Sequence, residues 1–289
     1  MPTKKAQLTA LWSIVTNAIL ATVKGCVGFF GRSDALIADA IESTSDVFAS
    51  CLVLWGITYS SKPADSNHPY GHGKAEPLVT FAVVGFLLVS ATIIAVESIR
   101  NLGEVQEKPE FYTLYFLAGI IIIKELSYRY VLRKGKETNS SSLKADAWHH
   151  RSDAISSLIA FVGISISFIL GPGYEKADDW AALLASGFIV YNAFLIFRPA
   201  LGEVMDEHLY DDLIHDIRNE SLKVPGVLDT EKCYVRKSGM RYIVDLHLEV
   251  DGQLSVYDGH EIAHRLKDHL QSVLPIKDVL IHIEPKERN

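Results

Sequence analysis

Long apolar stretches separated by short polar breaks fill the first two hundred positions of the 289-residue chain. A helix needs about 20 largely apolar residues to cross a bilayer, and several of these stretches reach that length. The hydrophobic pattern therefore predicts six membrane-spanning helices, at Leu8–Phe30, Ala35–Ser60, Pro77–Asn101, Phe111–Leu132, Ser142–Leu170 and Ala177–Leu201.

The placement of lysine and arginine at the ends of these helices predicts their orientation, because positive residues collect on the cytoplasmic side. One set of ends includes the basic run Arg133–Lys136, which we expect to end the fourth helix. That set holds Lys4, Lys5, Lys62, Lys74, Arg129, Arg133, Lys134, Lys136 and Lys144, and the other holds Arg32, Arg100, Lys108 and Lys176. Both termini are therefore expected in the cytoplasm.

After Gly202 the pattern changes to that of a small soluble domain. Its helices and strands are predicted by period and by turn residues, with Ser255 as the N-cap of the second helix. The predicted elements are a helix at Glu203–Leu222, strands at Cys233–Arg236 and Tyr242–Val250, a helix at Ser255–Leu274 and a strand at Val279–Ile283. This α-β-β-α-β order predicts an open sheet with helices on one face. The chain thus divides into residues 1–202 and 203–289.

Composition narrows the possible functions. The 48% hydrophobic content agrees with a membrane protein, and the net charge of −7 without a basic stripe excludes a nucleic-acid partner. The three cysteines stand far apart, with no C-x-x-C pair, so they indicate neither a disulfide framework nor a zinc knuckle.

Ionisable residues stand inside two predicted membrane helices, where each is costly and needs a reason. The second helix carries Asp39, Glu42 and Asp46 at spacings of three and four, which place them on one helix face. The fifth carries His149 and Asp153 four residues apart. If the two helices face each other, Glu42, Asp46, His149 and Asp153 form a four-ligand metal site. Asp39 is either a relay or an entrance charge.

The alternative is a pair of helices joined by buried salt bridges. These stretches carry almost no matching cation, since the spacing of Arg151 turns it away from the ligands. We expect Lys124 and Glu125, near the inner end of the fourth helix, to pair with each other or lie at the interface. Buried carboxylates without partners must bind a proton or a metal, which favours the metal site.

The donor set indicates both the cargo and the coupling. One imidazole and three carboxylates suit zinc, cadmium, iron(II), cobalt or manganese better than copper(I). Metal ligands must be deprotonated, so loading a metal releases protons and loading protons releases the metal. The site is therefore suited to metal-for-proton exchange.

The run His68-Pro-Tyr-Gly-His72-Gly-Lys74-Ala-Glu76, together with the acidic pair of helix two and His-x-x-x-Asp in helix five, resembles the cation diffusion facilitator family, in particular its bacterial zinc/iron exporters. The resemblance covers essentially the whole chain. It implies a homodimer in the bacterial plasma membrane, with a transmembrane cation efflux domain and a cytoplasmic dimerisation and metal-sensing domain. It also implies that the four ligands above form the transport site. Glu42 departs from the aspartate or histidine usual there, which affects metal selectivity.

The resemblance implies two further metal sites and a charge interlock. Asp65, His68 and His72 would form a loop site, and their residue types suit zinc; incidental histidines in a solvated loop are the alternative. In the cytoplasmic domain, strand alternation places His247, His282 and Glu284 together on one polar face. The alternative is that this face is the polar outer surface of the sheet and binds no metal. The remaining implied residues are Glu231 and His260 for this cytoplasmic site, with Cys233 as an alternative to Glu231, and Lys74 with Asp206 for the interlock.

We therefore expect a proton-coupled antiporter, not an enzyme, that exports divalent metal from the cytoplasm, with Zn²⁺ first as substrate and as regulatory ion. Fe²⁺, Mn²⁺, Co²⁺ or Cd²⁺ as the main substrate is the nearest alternative. A membrane metal sensor and an integral-membrane metallohydrolase are the alternatives from other classes. The expected partners are a second copy of the chain, membrane lipid and protons.

Overall fold

The computed structural model describes residues 2–31, 34–102, 112–170 and 177–286. The side chains of residues 34–42, which include Asp39 and Glu42, lie outside this description. The described residues form helices α1 Pro2–Gly31, α2 Asp34–Ser60, α3 Ala75–Asn101, α4 Tyr112–Thr138, α5 Ser141–Leu170, α6 Ala177–Val204, α7 Asp211–Ser221 and α8 Val256–Val273, and strands β1 Asp229–Ser238, β2 Arg241–Val250 and β3 Ile276–Pro285.

Helices α1 to α6 match the six predicted membrane helices, and each has 27 residues or more. Within the described residues, three helical segments are both long and apolar enough to cross a membrane: Pro2–Cys26, Ala75–Asn101 and Ala182–Val204. Large apolar side chains on these helices point outward, among them Phe86, Val89 and Ile93 on α3. An exposed apolar surface of this kind is suited to lipid.

The interior of this helical bundle is unusually polar. Asn17, Ser50, Asp46, Lys124 and His149 are all buried, with at most 7% of each residue exposed. Buried polar groups require partners, and those partners come from neighbouring helices. The membrane domain thus places apolar residues outside and ionisable residues inside, which is the arrangement expected around an ion pathway.

Helix α4 continues past the point where we expected it to end. The basic run Arg133–Lys136 is helical, and the helix ends only at Thr138. Glu137 explains the extension, because it pairs with Arg133 at 3.0 Å and with Lys134 at 2.7 Å. Such i,i+3 and i,i+4 pairs stabilise a helix outside the apolar stretch that the hydrophobic pattern detects.

The chain divides into two compact units. One comprises residues 1–59 and 75–200, and the other comprises residues 60–74 and 201–289. The α2–α3 connection therefore belongs to the second unit. Its Tyr70 carbonyl accepts a hydrogen bond from Lys277 Nζ at 3.1 Å, and Arg236 lies over the Tyr70 ring. Gly73 is packed so closely against the β1–β2 turn that a side chain there would overlap Ser238.

The carboxyl-terminal residues have the predicted α-β-β-α-β order, but β1 and β3 are longer than expected and the start of the first helix is wrong. We expected a helix from Glu203, but α6 extends through Val204 and α7 begins only at Asp211. Asp206 explains the break: its φ of 53° is left-handed and cannot continue a helix. As expected, Ser255 caps α8, its hydroxyl accepting a hydrogen bond from the backbone N–H of Asp258 at 3.1 Å.

The sheet has the order β1-β2-β3, with β1 antiparallel and β3 parallel to β2. Alternate β2 residues Val244, Leu246 and Leu248 are buried against α8, where Leu266 and Leu270 complete the core. Ile217 of α7 joins the same core. Both helices therefore cover one face, as expected, and the opposite face presents the polar residues.

Candidate metal-binding sites

The first cluster lies inside the helical bundle and joins α2 to α5. His149 Nε2 is 2.8 Å from Asp46 Oδ1, and one ligand atom from each of Asp46, His149 and Asp153 lies within 4.8 Å of the others. Asp46 and His149 are buried, whereas the Asp153 side chain is 24% exposed. An imidazole and two carboxylates this close can bind one divalent cation.

The geometry of this cluster follows from local helix spacing. His149 and Asp153 are one turn apart on α5 and therefore project from the same face. Asp46 meets them from α2. The side chains of Glu42 and Asp39 lie outside the described residues, so three of the four predicted transport ligands are seen together. Arg151 is directed away as expected, and its guanidinium lies 4.5 Å from the centre of the Tyr128 ring.

The expectation for Lys124 is wrong. Its ammonium nitrogen lies 2.8 Å from Asp46 Oδ2 and 2.7 Å from Asp153 Oδ2, and only 2% of its side chain is exposed. Glu125 instead pairs with Arg129, at 2.7 Å along α4. The ligands thus have a matching cation, which the sequence argument against a buried salt bridge had overlooked. Lys124 comes from a third helix, so its spacing in sequence gives no sign of this contact.

A buried polar network extends from the cluster. Asn17 Nδ2 donates to Ser50 Oγ at 3.1 Å, and Ser50 Oγ donates to Asp146 Oδ1 at 3.1 Å. Asn17 also accepts from Lys124 through Oδ1 at 3.4 Å. Asp146 is 1% exposed, so the network holds a second carboxylate of α5 inside the bundle. Asp146 falls within the fifth predicted helix, but a single sequence does not show which helices supply its partners.

The second cluster lies on the α2–α3 connection. Asp65 Oδ1 is 3.1 Å from His68 Nδ1, and Asp65 Oδ2 is 3.4 Å from His72 Nε2. The two imidazole rings have centres 4.3 Å apart. The three residues predicted for the loop site therefore do come together, and their ligand atoms all lie within 4.8 Å of one another.

Local hydrogen bonds prepare this cluster for a cation. The backbone N–H groups of His68 and Asn67 donate to Asp65 Oδ1, and chiefly the first of these lowers the pKa of the Asp65 carboxyl. His72 Nδ1 lies 3.2 Å from the carbonyl oxygen of Pro63. A proton on Nδ1 would make that bond and leave the Nε2 lone pair beside Asp65 Oδ2, where one cation could bind both atoms. This is how second-shell contacts orient metal ligands.

The third cluster lies on the polar face of the carboxyl-terminal sheet. His247 and His282 are register partners on β2 and β3, and His247 Nδ1 is 2.7 Å from Glu284 Oε1. His282 Nε2 is 3.5 Å from the same oxygen. Glu231 Oε2 approaches His247 Nδ1 to 3.8 Å. Four of the five predicted residues therefore meet.

His260 does not join this third cluster. It lies on α8, which covers the opposite face of the sheet, and its ring is 4.5 Å from that of His264. Cys233, considered as a substitute ligand, is also unsuited. It is 6% exposed within the hydrophobic core, and burial raises the pKa of its thiol to about 11. A ligand thiol must be deprotonated, so a buried neutral thiol is a poor donor.

The predicted interlock residues are in contact. Lys74 Nζ forms an ion pair with Asp206 Oδ1 and also donates to the carbonyl oxygen of Glu203. A second pair that the sequence did not indicate lies nearby: Lys237 Nζ is 2.7 Å from Glu203 Oε1, and the Lys237 side chain is 3% exposed. All of these residues belong to the second unit.

Comparison with known proteins agrees with this architecture. The family model described as the cation efflux transmembrane domain matches residues 10–205, and the cation efflux protein cytoplasmic domain (ZT_dimer), which points to dimerisation, matches residues 209–286. The chain is 32% identical over 287 residues to the manganese efflux system protein MneP of Bacillus subtilis, covering 96% of this chain and 95% of MneP.

The chain is also 30% identical over 290 residues to the cation-efflux pump FieF of Yersinia enterocolitica, covering 97% of this chain and 94% of FieF. A solved variant of the MamM CTD is 21% identical with a TM-score of 0.27, covering 27% of this chain and 100% of that one. The two family models together span nearly the whole chain, and the chain belongs to the cation diffusion facilitator family of cation-efflux membrane transporters, which are not enzymes.

Proposed function

We propose that this protein exports divalent transition-metal cations from the cytoplasm in exchange for protons, with Zn²⁺ as its principal substrate. The convergence of Asp46, His149 and Asp153 inside the helical bundle is the observation that carries the proposal. Ionisable side chains are costly at membrane depth and characteristically mark an ion path. Two facing helices supply these ligands, so the site lies between elements that a transporter can move.

Proton coupling follows from the chemistry of the ligands. A carboxylate or imidazole binds metal only after it has lost its proton, so metal and protons compete for the same atoms. A proton gradient directed into the cytoplasm therefore favours metal release on the outer side and proton release on the inner side. Such competition needs no separate proton path, because Asp46, His149 and Asp153 serve both cargoes in turn.

The donor set favours Zn²⁺, and a specific observation favours Mn²⁺ as the second candidate. Imidazole is a better ligand for zinc, whereas carboxylates also suit manganese. The relative MneP is named for manganese efflux and is similar over 96% of this chain. With Glu42, the proposed transport site has three carboxylates and one imidazole, so both metals belong in the test.

The proposal extends to the assembly and its surroundings. The protein acts as a homodimer in a bacterial plasma membrane, with both termini in the cytoplasm. Residues 1–202 form the transmembrane efflux domain, and residues 203–289 form the cytoplasmic domain that dimerises and senses metal. The loop cluster (Asp65, His68, His72) and the sheet-face cluster (Glu231, His247, His282, Glu284) are proposed as additional metal sites.

Flux measurements in proteoliposomes test this function. Purified protein is reconstituted with an imposed pH gradient, and entry of Zn²⁺ or Mn²⁺ is followed with an internal metal indicator. Wild-type flux should depend on the gradient, and Asp153→Asn should lower it at least about 100-fold because a charged ligand is lost. Asp146→Asn is the matched control, since Asp146 is a buried carboxylate of the same helix outside the ligand cluster. It should retain most of the flux.

Three outcomes would contradict parts of the proposal. Wild-type protein that binds metal at the sheet-face cluster but shows no flux would favour a membrane metal sensor. Flux that persists unchanged when the pH gradient is collapsed would remove the proton coupling. If Asp46→Asn and Asp153→Asn both retained normal flux, the transport site would have to lie elsewhere.

A further inference from the structure

Lys124 occupies the position between the two carboxylates of the proposed transport site. Its Nζ lies 2.8 Å from Asp46 Oδ2 and 2.7 Å from Asp153 Oδ2, so it joins α4 to both α2 and α5. The remaining oxygen of Asp46 faces His149 Nε2 at 2.8 Å. The ammonium therefore contacts two of the three side chains that converge in this cluster.

We propose that Lys124 is a tethered competitor of the metal, which neutralises the carboxylates before metal binds and is displaced when metal arrives. This inference rests on the proposed function. Lys124 is not a metal ligand, since a charged ammonium has no lone pair to offer a metal. It positions the two carboxylates and weakens metal binding. Lys124 thereby sets how tightly the site holds its cargo and how fast it lets the cargo go.

The Lys124 ammonium and a metal compete for the two carboxylate oxygens that the ammonium now contacts. A metal such as zinc binds carboxylate oxygens at about 2.0–2.2 Å, in the same region that the ammonium now fills at 2.7 and 2.8 Å. Two positive charges in contact within a poorly screened interior repel strongly. Metal binding through Asp46 Oδ2 and Asp153 Oδ2 therefore requires the Lys124 ammonium to withdraw from both oxygens.

The structure provides a place for the withdrawn ammonium. A cavity of about 60 Å³ adjoins the cluster and is lined by Lys124 together with Asp46 and Asp153. Ser90 and Ser157 also line it, and a serine hydroxyl can accept a hydrogen bond. The volume is sufficient for water, and the flexible four-carbon stem of lysine allows the movement without a change in the backbone.

Two consequences follow for transport. Before metal binds, the lysine compensates carboxylates that would otherwise be buried side by side without a counter-charge, which is strongly destabilising. When metal is bound, the displaced Lys124 ammonium remains nearby, and its positive charge favours release of the metal. An exporter benefits from both effects, because a site that binds its cargo too tightly turns over slowly.

The competing interpretation is a permanent ion pair that only holds α2, α4 and α5 together. The two roles predict opposite effects on metal affinity. Removing a competitor tightens metal binding, whereas removing a structural pair loosens the site and weakens binding. The direction of the change in Kd upon neutralising Lys124 therefore separates them.

The test compares Zn²⁺ and Mn²⁺ binding and flux in full-length protein carrying Lys124→Met, Lys124→Gln or Lys124→Arg. All are made in a background of His68→Ala and His282→Ala, which weakens the loop and sheet-face clusters. Lys124→Met and Lys124→Gln should each lower Kd about tenfold or more, because a unit charge in contact is removed from a poorly screened site. KM and kcat should fall together as release slows. Lys124→Arg keeps the charge and should restore values near those of the background.

Lys24→Met is the matched control for losing a buried positive charge. Lys24 lines the same cavity, but its Nζ donates to Ser43 Oγ at 2.8 Å. Its effect on Kd should be clearly smaller than that of Lys124→Met. Equal changes of Kd in Lys24→Met and Lys124→Met would show that any buried positive charge near the site weakens metal binding. That result would overturn the proposal that metal displaces Lys124.

The remaining outcomes are also decisive. Weaker or unchanged binding in folded Lys124→Met and Lys124→Gln would overturn the inference, as would failure of both variants to fold, which would make the lysine structural. Those results leave the proposed function intact as long as the background protein transports metal. Absence of binding and flux in wild-type protein would instead overturn the proposed function itself.

Discussion

Asp46 and His149 lie 2.8 Å apart, Oδ1 to Nε2, although 103 residues separate them in the chain. The contact joins α2 to α5, so the distance between two metal ligands depends on how these helices pack. A small displacement of one helix against the other changes the geometry of the cluster without changing any residue. Ligands held in this way can bind tightly in one arrangement of the bundle and weakly in another, which is what alternating release of a cargo requires.

The length of the side chain at position 42 should tune which metal is carried. Glu42 precedes Asp46 by one turn of α2, and its extra methylene places the carboxylate farther from the backbone than aspartate would. We expect Glu42→Asp to change the ratio of Zn²⁺ to Mn²⁺ flux severalfold in competition assays, because selectivity depends on ligand geometry. Glu125→Asp, on α4 and paired with Arg129, is the control and should leave the ratio unchanged. An unaltered ratio in Glu42→Asp would show that this position does not set selectivity.

The affinity of the sheet-face cluster for Zn²⁺ should depend on His282 and not on His260. His282 lies beside His247 with ring centres 4.9 Å apart, whereas His260 lies on the helix that covers the opposite face. We expect His282→Ala to weaken Zn²⁺ binding at this cluster at least about tenfold, since one of few ligands is lost. His260→Ala should change Kd less than about threefold, because His260 is not one of the ligands of this cluster. Calorimetric titration of full-length protein that carries Asp153→Asn and His68→Ala, which weaken the transport site and the loop cluster, reports on the sheet-face cluster, and equal losses in the two variants would place His260 in the site.

Cys233 should remain chemically silent in the folded protein. Burial raises the pKa of its thiol from 9.0 to about 11, so the reactive thiolate is rare at neutral pH. A thiol pKa of about 11 lowers the thiolate fraction about 100-fold at neutral pH, and restricted access slows the reaction further. With Cys26 and Cys51 replaced by serine, maleimide labelling at neutral pH should be at least that much slower in folded than in denatured protein. Rapid labelling at pH 8, or protection by added Zn²⁺, would contradict this.

The elements that sequence predicted well are those encoded by local periodicity. The membrane helices follow from apolar length, and His149 with Asp153 follows from a four-residue spacing on one helix. The alternation along β2 likewise predicted that His247 faces away from the core formed by Val244 and Leu246. Each of these inferences requires only the geometry of a single element.

The errors arise where the answer depends on which elements pack together. Lys124 has a local neighbour of opposite charge, Glu125, yet its partners come from α2 and α5, and a single sequence does not specify which helices face each other. His260 was assigned by resemblance, but the side of the sheet that α8 covers determines its position. The end of α4 was misjudged because hydropathy detects the lipid-facing length, whereas Glu137 and its partners extend the helix.

The buried pair Lys237–Glu203 should hold the second unit together more strongly than the exposed pair Lys74–Asp206. Lys237 is 3% exposed and Glu203 11%, whereas the side chains of Lys74 and Asp206 are 43% and 44% exposed. Removing one member of a buried pair costs about 3 kcal/mol, while exposed pairs contribute about 1 kcal/mol or less. Asparagine, like aspartate, tolerates a left-handed backbone, so Asp206→Asn removes the charge with little added strain.

Hydrogen exchange of the amides in residues 201–210 should therefore accelerate about 100-fold in Lys237→Met and less than about fivefold in Asp206→Asn. The smaller effect should vanish in high salt, because screening weakens exposed charges far more than buried ones. Equal acceleration in the two variants would show that burial does not determine which pair stabilises this segment.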